Sequence, residues 1–445
     1  RVPIVGWLPR YNWKEDFVPD AISGFTLACI HVPQGLAFAV LANVDPILGL
    51  YTACFPTLVY SLLGTAHVGS FGPVAIASMM IGEAVAGNSD GGFTNNEIST
   101  AITFNIGVYY LIAFFLRLGV LASVFTKPFT SSFVIGCALH VIFKTFKLLL
   151  GLKYRNEYGM LNFFRNIYNL YIHIPQTNIP TLIISLCVIS ILVLNLTVLK
   201  PLVEKCTKVV IPIEGIILVL VTVFSYIFKF SDFGVPMVGY VPTGLPDFKF
   251  PSMSAAVHLW APALAIATIN YSTTTSMTMM FNKDLRPNQD LFAMAISNLL
   301  CSNIQCITIG NSMMRTVIAV ALGLRTLMSC MISSFILIFI IVFAGPLFSP
   351  LPNCVLGSII MVGSFLLVII KLRDVPSIFQ SSEDGFIWVA TVLFVVGTDI
   401  DFGMVIGATL TLRKILHERA QLLKSKQTKR SETLILKVVP SNEDV

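Results

Sequence analysis

Long apolar stretches alternate with short polar or Pro/Gly-containing breaks along almost the whole chain. A helix that crosses a bilayer needs about 20 apolar residues, and such breaks mark the turns between helices. The pattern therefore predicts fourteen helical segments. The predicted segments are 20–41, 46–63, 72–85, 101–119, 128–150, 179–197, 211–229, 255–279, 289–302, 312–324, 326–345, 353–371, 384–398 and 402–416.

Two of these segments are too short to cross a bilayer alone. They begin near Gly72 and Ser312, and each follows a polar, glycine-containing stretch. Each supplies about a dozen helical residues, which cover roughly half of the hydrocarbon core at about 1.5 Å per residue. The sequence thus predicts an all-α integral membrane protein in which the third and tenth segments are half-helices.

The composition agrees with this prediction. Of the 445 residues, 55% are hydrophobic and only 12% are charged, and the mean hydropathy is +0.82. A soluble domain carries about 25% charged residues, so a soluble fold could not cover its surface. The chain has no GxxxxGK[ST] or HExxH motif and no CxxC pair. We therefore expect no enzymatic activity, no cofactor and no metal site.

The net charge of +6 reflects mostly the loops that face the cytoplasm, so we expect lipid rather than nucleic acid as a partner. Positive-inside counting predicts that both termini are cytoplasmic, and we expect the protein in the plasma membrane. Residues 1–19 would form a cytoplasmic segment, 20–416 the transmembrane domain, and 417–445 a cytoplasmic linker. Within 158–172, aromatic residues beside Arg165 predict an interfacial amphipathic segment or a structured loop. Thr433 to Val439 reads as a short strand that would begin a further domain of a longer protein.

The half-helices point to a binding site. Backbone groups in hydrocarbon must be hydrogen-bonded, so a broken helix is tolerated where it is buried or lines a wet cavity. A helix N-terminus offers unpaired N–H groups and about half a positive charge, which attract anions. The candidate residues are Pro73, Val74 and Ala75 at the first half-helix, and Ser312, Met313 and Met314 at the second, with Asn311 or Ser312 as its N-cap.

Arg315, one turn inside the second half-helix, is the most informative residue. An arginine within a membrane costs at least a few kcal/mol and normally faces a cavity or a partner. No carboxylate is near it in sequence, which favours attraction of an anion. The alternative is a buried salt bridge to a distant acid, namely Glu83, Glu204 or Glu214. Glu83 and Glu214 are expected at helix ends, so we predict neither as a coupling residue.

The first segment places His31, Gln34, Ala37 and Phe38 on one helical face. Gln34 could donate to an anion or form an interhelical hydrogen bond. His31 is either a pH-sensitive group or a neutral packing histidine, and Phe38 either packs or turns its ring edge to the anion. The eighth segment, which contains Tyr271, is rich in hydroxyls and lacks carboxylates, which argues against a cation or nucleobase carrier.

Several motifs resemble those of the sulfate permease (SulP) family of anion transporters, the group that includes pendrin and prestin. The resemblance covers nearly the entire chain and is colinear. The motifs are Pro33 to Ala39, Gly49 to Tyr51, Phe55-Pro56, Gly64 to His67, Gly72 to Ala75, Val238-Gly239, Pro242 to Pro246, Asn288 to Leu291 and Ser312 to Thr316.

The resemblance implies two inverted seven-segment repeats, with a core domain (20–119 and 255–345) that moves like an elevator against a gate domain (128–229 and 353–416). It also implies an anion between segments 3 and 10, a homodimer, and a cytoplasmic STAS domain after the last segment. The implied binding residues are Gln34, Phe38, Pro73, Val74, Ala75, Tyr271, Ser312, Met313, Met314 and Arg315.

Two residues depart from the family pattern. Met314 stands where the family usually has serine, and His31 where many members have glutamine or another uncharged residue. The second departure predicts sensitivity to pH. We expect a secondary-active exchanger of chloride, bicarbonate, sulfate, oxalate or a similar small anion. The alternatives are an uncoupled anion channel and a chloride-binding, voltage-responsive motor of the same fold.

Overall fold

A computed structural model describes residues 3–88, 92–119, 126–154, 161–202, 212–282, 285–398 and 400–438. The helices are α1 Ile4–Trp7, α2 Phe17–Leu41, α3 Pro46–Leu63, α4 Ala75–Gly87, α5 Asn95–Phe115, α6 Lys127–Leu149, α7 Asn162–His173, α8 Ile179–Leu194, α9 Ile213–Phe228, α10 Met253–His258, α11 Trp260–Phe281, α12 Pro287–Ser302, α13 Met313–Ala321, α14 Met328–Ala344, α15 Asn353–Leu372, α16 Val375–Ile378, α17 Ser382–Gly397 and α18 Ile400–Val438. Two short strands are β1 Phe71–Gly72 and β2 Gly310–Asn311.

Each of the predicted segments coincides with helical structure. Within the described residues, seven helices are long and apolar enough to cross a membrane, and α4 and α9 are shorter apolar helices. The number of crossings, fourteen, stays a prediction. The two expected half-helices are present, because α4 has 13 residues and α13 has 9.

The amphipathic stretch predicted within 158–172 forms a helix, α7. Phe163 is buried in it, and Phe164, Tyr168 and Tyr171 are exposed. Residues 158–160 lie outside the described residues.

The strand predicted from Thr433 to Val439 is wrong, because α18 continues to Val438. No glycine or proline interrupts the chain between 408 and 438, and extending a helix is easier than starting a new element. Val439 lies outside the described residues.

The two half-helices are joined through their lead-in strands. β1 and β2 pair in antiparallel register, with Phe71 opposite Asn311 and Gly72 opposite Gly310. The Ser312 N–H also donates to the Ser70 carbonyl at 3.1 Å. This pairing satisfies backbone groups that would otherwise be unpaired in the interior, and it places the starts of α4 and α13 side by side.

The hydroxyl-rich helix α11 holds β2 in place. The Asn270 side chain donates to the Ile309 carbonyl at 2.7 Å. The Asn311 backbone N–H donates to the Thr274 hydroxyl at 3.2 Å, and its side-chain amide donates to Thr278 at 3.0 Å. Several polar residues of this helix therefore hold the strand that leads into the second half-helix, α13. α2 passes the same point and packs against α3, α4, α13, α14 and α15.

Candidate functional site

A cavity of about 120 Å³ lies where α2 passes the starts of the two half-helices. Seven of the predicted site residues line it: Gln34, Phe38, Val74, Ala75, Ser312, Met313 and Met314. Their side chains come from three elements that are far apart in sequence. The cavity wall is largely apolar, so an ion that enters loses most of its water and depends on the few polar groups present.

Arg315 lies directly behind this wall and is fully buried. Its guanidinium donates three hydrogen bonds, from Nη1 to Gln34 Oε1 at 2.9 Å, from Nη2 to the Pro73 carbonyl at 3.1 Å, and from Nε to Ser70 Oγ at 3.3 Å. All three acceptors are neutral. The guanidinium is therefore hydrogen-bonded without being neutralised by the groups that hold it.

Gly72 makes this approach possible. Its φ is +153°, and a Cβ atom there would lie 2.7 Å from His31 Cε1 and 3.3 Å from Arg315 Nη2. Only glycine leaves room for the imidazole and the guanidinium beside the backbone of β1. The glycine thus allows Arg315 to reach the carbonyl of Pro73, the next residue along the chain.

Gln34 connects Arg315 to a carboxylate. While its Oε1 accepts from Arg315, its Nε2 donates to Glu214 Oε2 at 3.0 Å. The orientation of the amide is fixed, because a guanidinium only donates and an ionised carboxylate only accepts. The sequence allows two roles for Gln34, an interhelical hydrogen bond and donation to an anion. The structure shows the first of them.

The buried salt bridge foreseen as an alternative for Arg315 is absent from the described part of the chain, where Arg315 makes no ion pair. Glu83 pairs instead with Lys144, at 2.5 Å. Glu214 reaches Arg315 only through Gln34, and Glu204 lies outside the described residues. The positive charge of Arg315 therefore has no direct counter-ion here.

His31 is buried beside Arg315 and does not line the cavity. Its Nε2 lies 3.4 Å from Ser70 Oγ, and its Nδ1 has no hydrogen-bond partner among the described residues. The imidazole thus shares the Ser70 hydroxyl with Arg315. A protonated His31 would place a second positive charge beside the first.

The starts of the half-helices have free backbone donors. The N-caps are Val74 for α4 and Ser312 for α13, and neither side chain makes a capping bond. The Asn311 side-chain oxygen instead accepts from the Ser70 N–H and the Thr316 hydroxyl. The first-turn N–H groups of both helices are thus left for water or an anion.

Tyr271 does not belong to this cavity. Its hydroxyl donates to the Gly119 carbonyl at 3.3 Å, and its ring packs 6.0 Å from that of Tyr110. Thr273 and Met277 of the same helix line the cavity instead. They are four residues apart and share a helical face that excludes Tyr271, so the spacing along the helix is the sequence signal that separates them from Tyr271.

The far wall of the cavity was also missed. It consists of one residue of α6 and several of α15: Val134, Ile359, Ile360, Gly363, Ser364 and Leu367. These residues lie within long apolar segments and have no distinguishing polar pattern. In the described part of the chain, no group of three or more His, Cys, Asp or Glu residues could hold a metal ion.

Comparison with known proteins places the chain in a family. Residues 17–391 match the profile of the sulfate permease family. The chain belongs to this family. It is 30% identical to the human "Anion exchange transporter" over 97% of its own length and 70% of that protein. It is 31% identical to prestin of Danio rerio over 99% of its length and 61% of that protein.

The fold comparison agrees with this assignment. The structure described as murine Solute Carrier 26 family member A9, an anion transporter in the inward-facing state, superposes with a TM-score of 0.86. The superposition covers 94% of this chain and 71% of the other, at 24% identity. This member of the sulfate permease family is therefore a multi-pass integral membrane protein with a membrane-transporter fold.

Proposed function

We propose that the protein is a secondary-active transporter that exchanges small anions such as chloride, bicarbonate, sulfate or oxalate. The observation that carries the proposal is the fully buried Arg315, which is held by neutral acceptors and has no direct counter-ion among the described residues. A buried cation of this kind lowers the cost of bringing an anion into the adjoining apolar cavity. The names of the relatives, an anion exchange transporter and sulfate transporters, agree with it.

The anion would sit in the cavity near the starts of α4 and α13. Their uncapped N–H groups and the field of Arg315 would replace its hydration shell. Among the described residues, no carboxylate lines this cavity, which supports an anionic rather than a cationic substrate. Ser312 would supply a hydroxyl donor, and Gln34 an amide donor once it leaves Glu214.

An elevator-like movement would expose the site alternately to the two sides. The half-helices, α2 and α11 form one wall, while α6 and α15 contribute the other. The wall formed by α6 and α15 is apolar at Val134, Ile359 and Ile360. The half-helices, α2 and α11 could therefore slide along it without breaking hydrogen bonds at those positions. The division into a moving core and a fixed gate is part of this proposal.

We also propose that both termini lie in the cytoplasm of a plasma-membrane homodimer, with a STAS domain following the last segment. The basic residues of α18, including Arg413, Lys414 and Arg419, support a cytoplasmic position for the end of the chain.

Uptake of labelled chloride and labelled sulfate into proteoliposomes tests the proposal. We expect unlabelled anion inside the vesicles to accelerate uptake, and we expect Arg315→Ala to abolish it and Gln34→Ala to reduce it. Uptake that ignores the internal anion would indicate a channel. An absence of uptake by the wild type would overturn transport, and recordings of charge movement would then test a motor.

A further inference from the structure

Glu214 was expected at a helix start, and it does lie in the first turn of α9. That turn, however, packs against the middle of α2. A Cβ atom on Gly215 would lie 2.8 Å from the Cys29 carbonyl, so glycine at this position allows α9 to approach α2 closely. The approach brings the Glu214 carboxylate to the amide of Gln34.

The oxygen and the NH₂ group of the Gln34 amide are both engaged in this arrangement, and one of the two N–H bonds of the NH₂ group points to Glu214. The amide oxygen accepts from Arg315 and the NH₂ group donates to Glu214. An anion in the cavity could use that same NH₂ group, because Gln34 lines the cavity. Glu214 and an entering anion would therefore lie at the same NH₂ group, and they compete for the field of one arginine.

The net charge of the site also opposes binding of an anion while Glu214 is ionised. Arg315 and Glu214 together have a net charge of zero when both are ionised. Adding an anion gives the site a net negative charge in surroundings of low dielectric constant, which opposes binding. If Glu214 becomes neutral, the anion meets the uncompensated charge of Arg315.

Glu214 also has a space into which it can withdraw. It is partly exposed and lines a second cavity of about 340 Å³, together with Lys200 and Arg373. Met313 and Met314 line both cavities and separate them. The carboxylate thus stands between the cavity that would hold the anion and a neighbouring cavity with basic side chains.

The charged and titratable groups that surround Glu214 come from every element packed around it. They are Cys29 of α2, which lies against Gly215; Lys200 beyond α8 and Arg373 at the end of α15, which share the second cavity; and Arg315 of α13, which is reached through Gln34. Glu214 is the acidic member of this set.

We infer that Glu214 is a tethered competitor of the transported anion, whose negative charge offsets the field of Arg315 until the carboxylate is neutralised or withdraws. Its charge then sets the affinity for the anion and makes that affinity depend on pH. This inference rests on the proposed transport function and concerns the same site.

The test is Glu214→Gln in proteoliposomes, with chloride and sulfate as probes because neither titrates in the range used. We expect the KM for chloride to fall on the order of five- to tenfold, with a smaller change in maximal rate. In the wild type, KM should fall as the pH is lowered from about pH 8 to about pH 5, towards the titration range of a carboxyl group. In Glu214→Gln, KM should be low at every pH.

Two further variants complete the experiment. Glu214→Asp keeps the charge, so its KM should still depend on pH, and it serves if Glu214→Gln fails to fold. Glu383→Gln makes the same change at an exposed glutamate outside both cavities, and its KM and pH profile should match the wild type.

Failure of this inference is distinguishable from failure of the transport function. If wild-type uptake depends on Arg315 but Glu214→Gln keeps the wild-type KM and pH profile, Glu214 is not a competitor. A folded Glu214→Gln protein without uptake would also overturn the inference, since removing a competitor cannot abolish transport. If the wild type itself takes up no anion, the transport proposal fails.

Discussion

Two cations of this protein, the fully buried Arg315 and the partly buried Lys144, have opposite environments. Lys144 of α6 is paired directly with Glu83 of α4 at 2.5 Å, and the two side chains are 9% and 17% exposed. Arg315 is fully buried, and its three hydrogen-bond acceptors are a side-chain amide, a hydroxyl and a backbone carbonyl. Lys144 is paired directly with a carboxylate, whereas Arg315 is separated from the nearest carboxylate, Glu214, by the Gln34 amide.

The difference separates a structural cation from a binding cation. A direct carboxylate partner removes the field that a substrate would feel, and it ties two helices together at a cost in desolvation. Neutral acceptors orient a guanidinium and leave much of its field available to a mobile anion. A cation beside a cavity that has no direct carboxylate partner is thus the better indicator of function, although both residues lie within predicted membrane segments.

The sharpest test of this comparison removes each charge in turn with the same substitution. Arg315→Gln should lower anion uptake on the order of 100-fold, since it removes charged hydrogen bonds and the attracting field. Lys144→Gln should leave uptake within a few-fold of wild type. Equal losses of uptake in the two variants, measured at matched protein levels in proteoliposomes, would contradict the distinction.

The next largest effect is expected from Gly72→Ala. The new methyl group would meet His31 and Arg315, and the φ of +153° disfavours a side chain. We expect uptake to fall about tenfold or more as the guanidinium is displaced. Gly87→Ala is the control, because no atom lies within 4 Å of the added Cβ at that position. Wild-type uptake by Gly72→Ala would show that the position of Arg315 is not critical.

The Glu83–Lys144 pair should affect stability rather than binding. Lys144→Gln leaves Glu83 largely buried without its partner, and we expect a loss of about 1–3 kcal/mol, seen as a lower Tm in detergent. The double variant Glu83→Lys with Lys144→Glu should recover part of the loss. A single variant as stable as the wild type would show that the ion pair contributes little.

The smallest effect is expected at Met314, whose side chain lines the cavity. Met314→Ser adds a hydroxyl donor there, and we expect the ratio of sulfate to chloride uptake to change by roughly fivefold, equivalent to about 1 kcal/mol. Met280→Ser makes the same change at an exposed position and should leave the ratio unchanged. An unchanged ratio in Met314→Ser would show that this side chain does not contact the anion.

The sequence was sufficient for the parts of the site with a local signature. Glycine-containing breaks before short apolar segments predicted α4 and α13. A lone arginine in an apolar segment drew attention to Arg315, which is buried and bonded to Gln34, and helical spacing placed Gln34 and Phe38 on the face that lines the cavity. Each of these signals lies within about ten residues of the chain.

The rest depends on contacts between distant residues. Gln34 and Glu214 are 180 residues apart, and their meeting depends on the packing of α9 against α2, which no local pattern records. The same holds for the wall formed by Val134 and Ile359, whose segments are uniformly apolar. Tyr271 was misplaced because a hydroxyl-rich helix presents polar groups on several faces, and only packing selects the one that meets the cavity.

The most direct test of the central claim is whether anion binding requires Arg315 and not Lys144. Purified wild type, Lys144→Gln and Arg315→Gln would be heated in detergent with chloride or with gluconate as the anion. A ligand that binds the folded state raises its stability by about 2.7 kcal/mol at 100 times Kd. We predict that chloride raises the Tm of the wild type and of Lys144→Gln but not that of Arg315→Gln. The same chloride-dependent rise in Arg315→Gln as in the wild type would contradict the account.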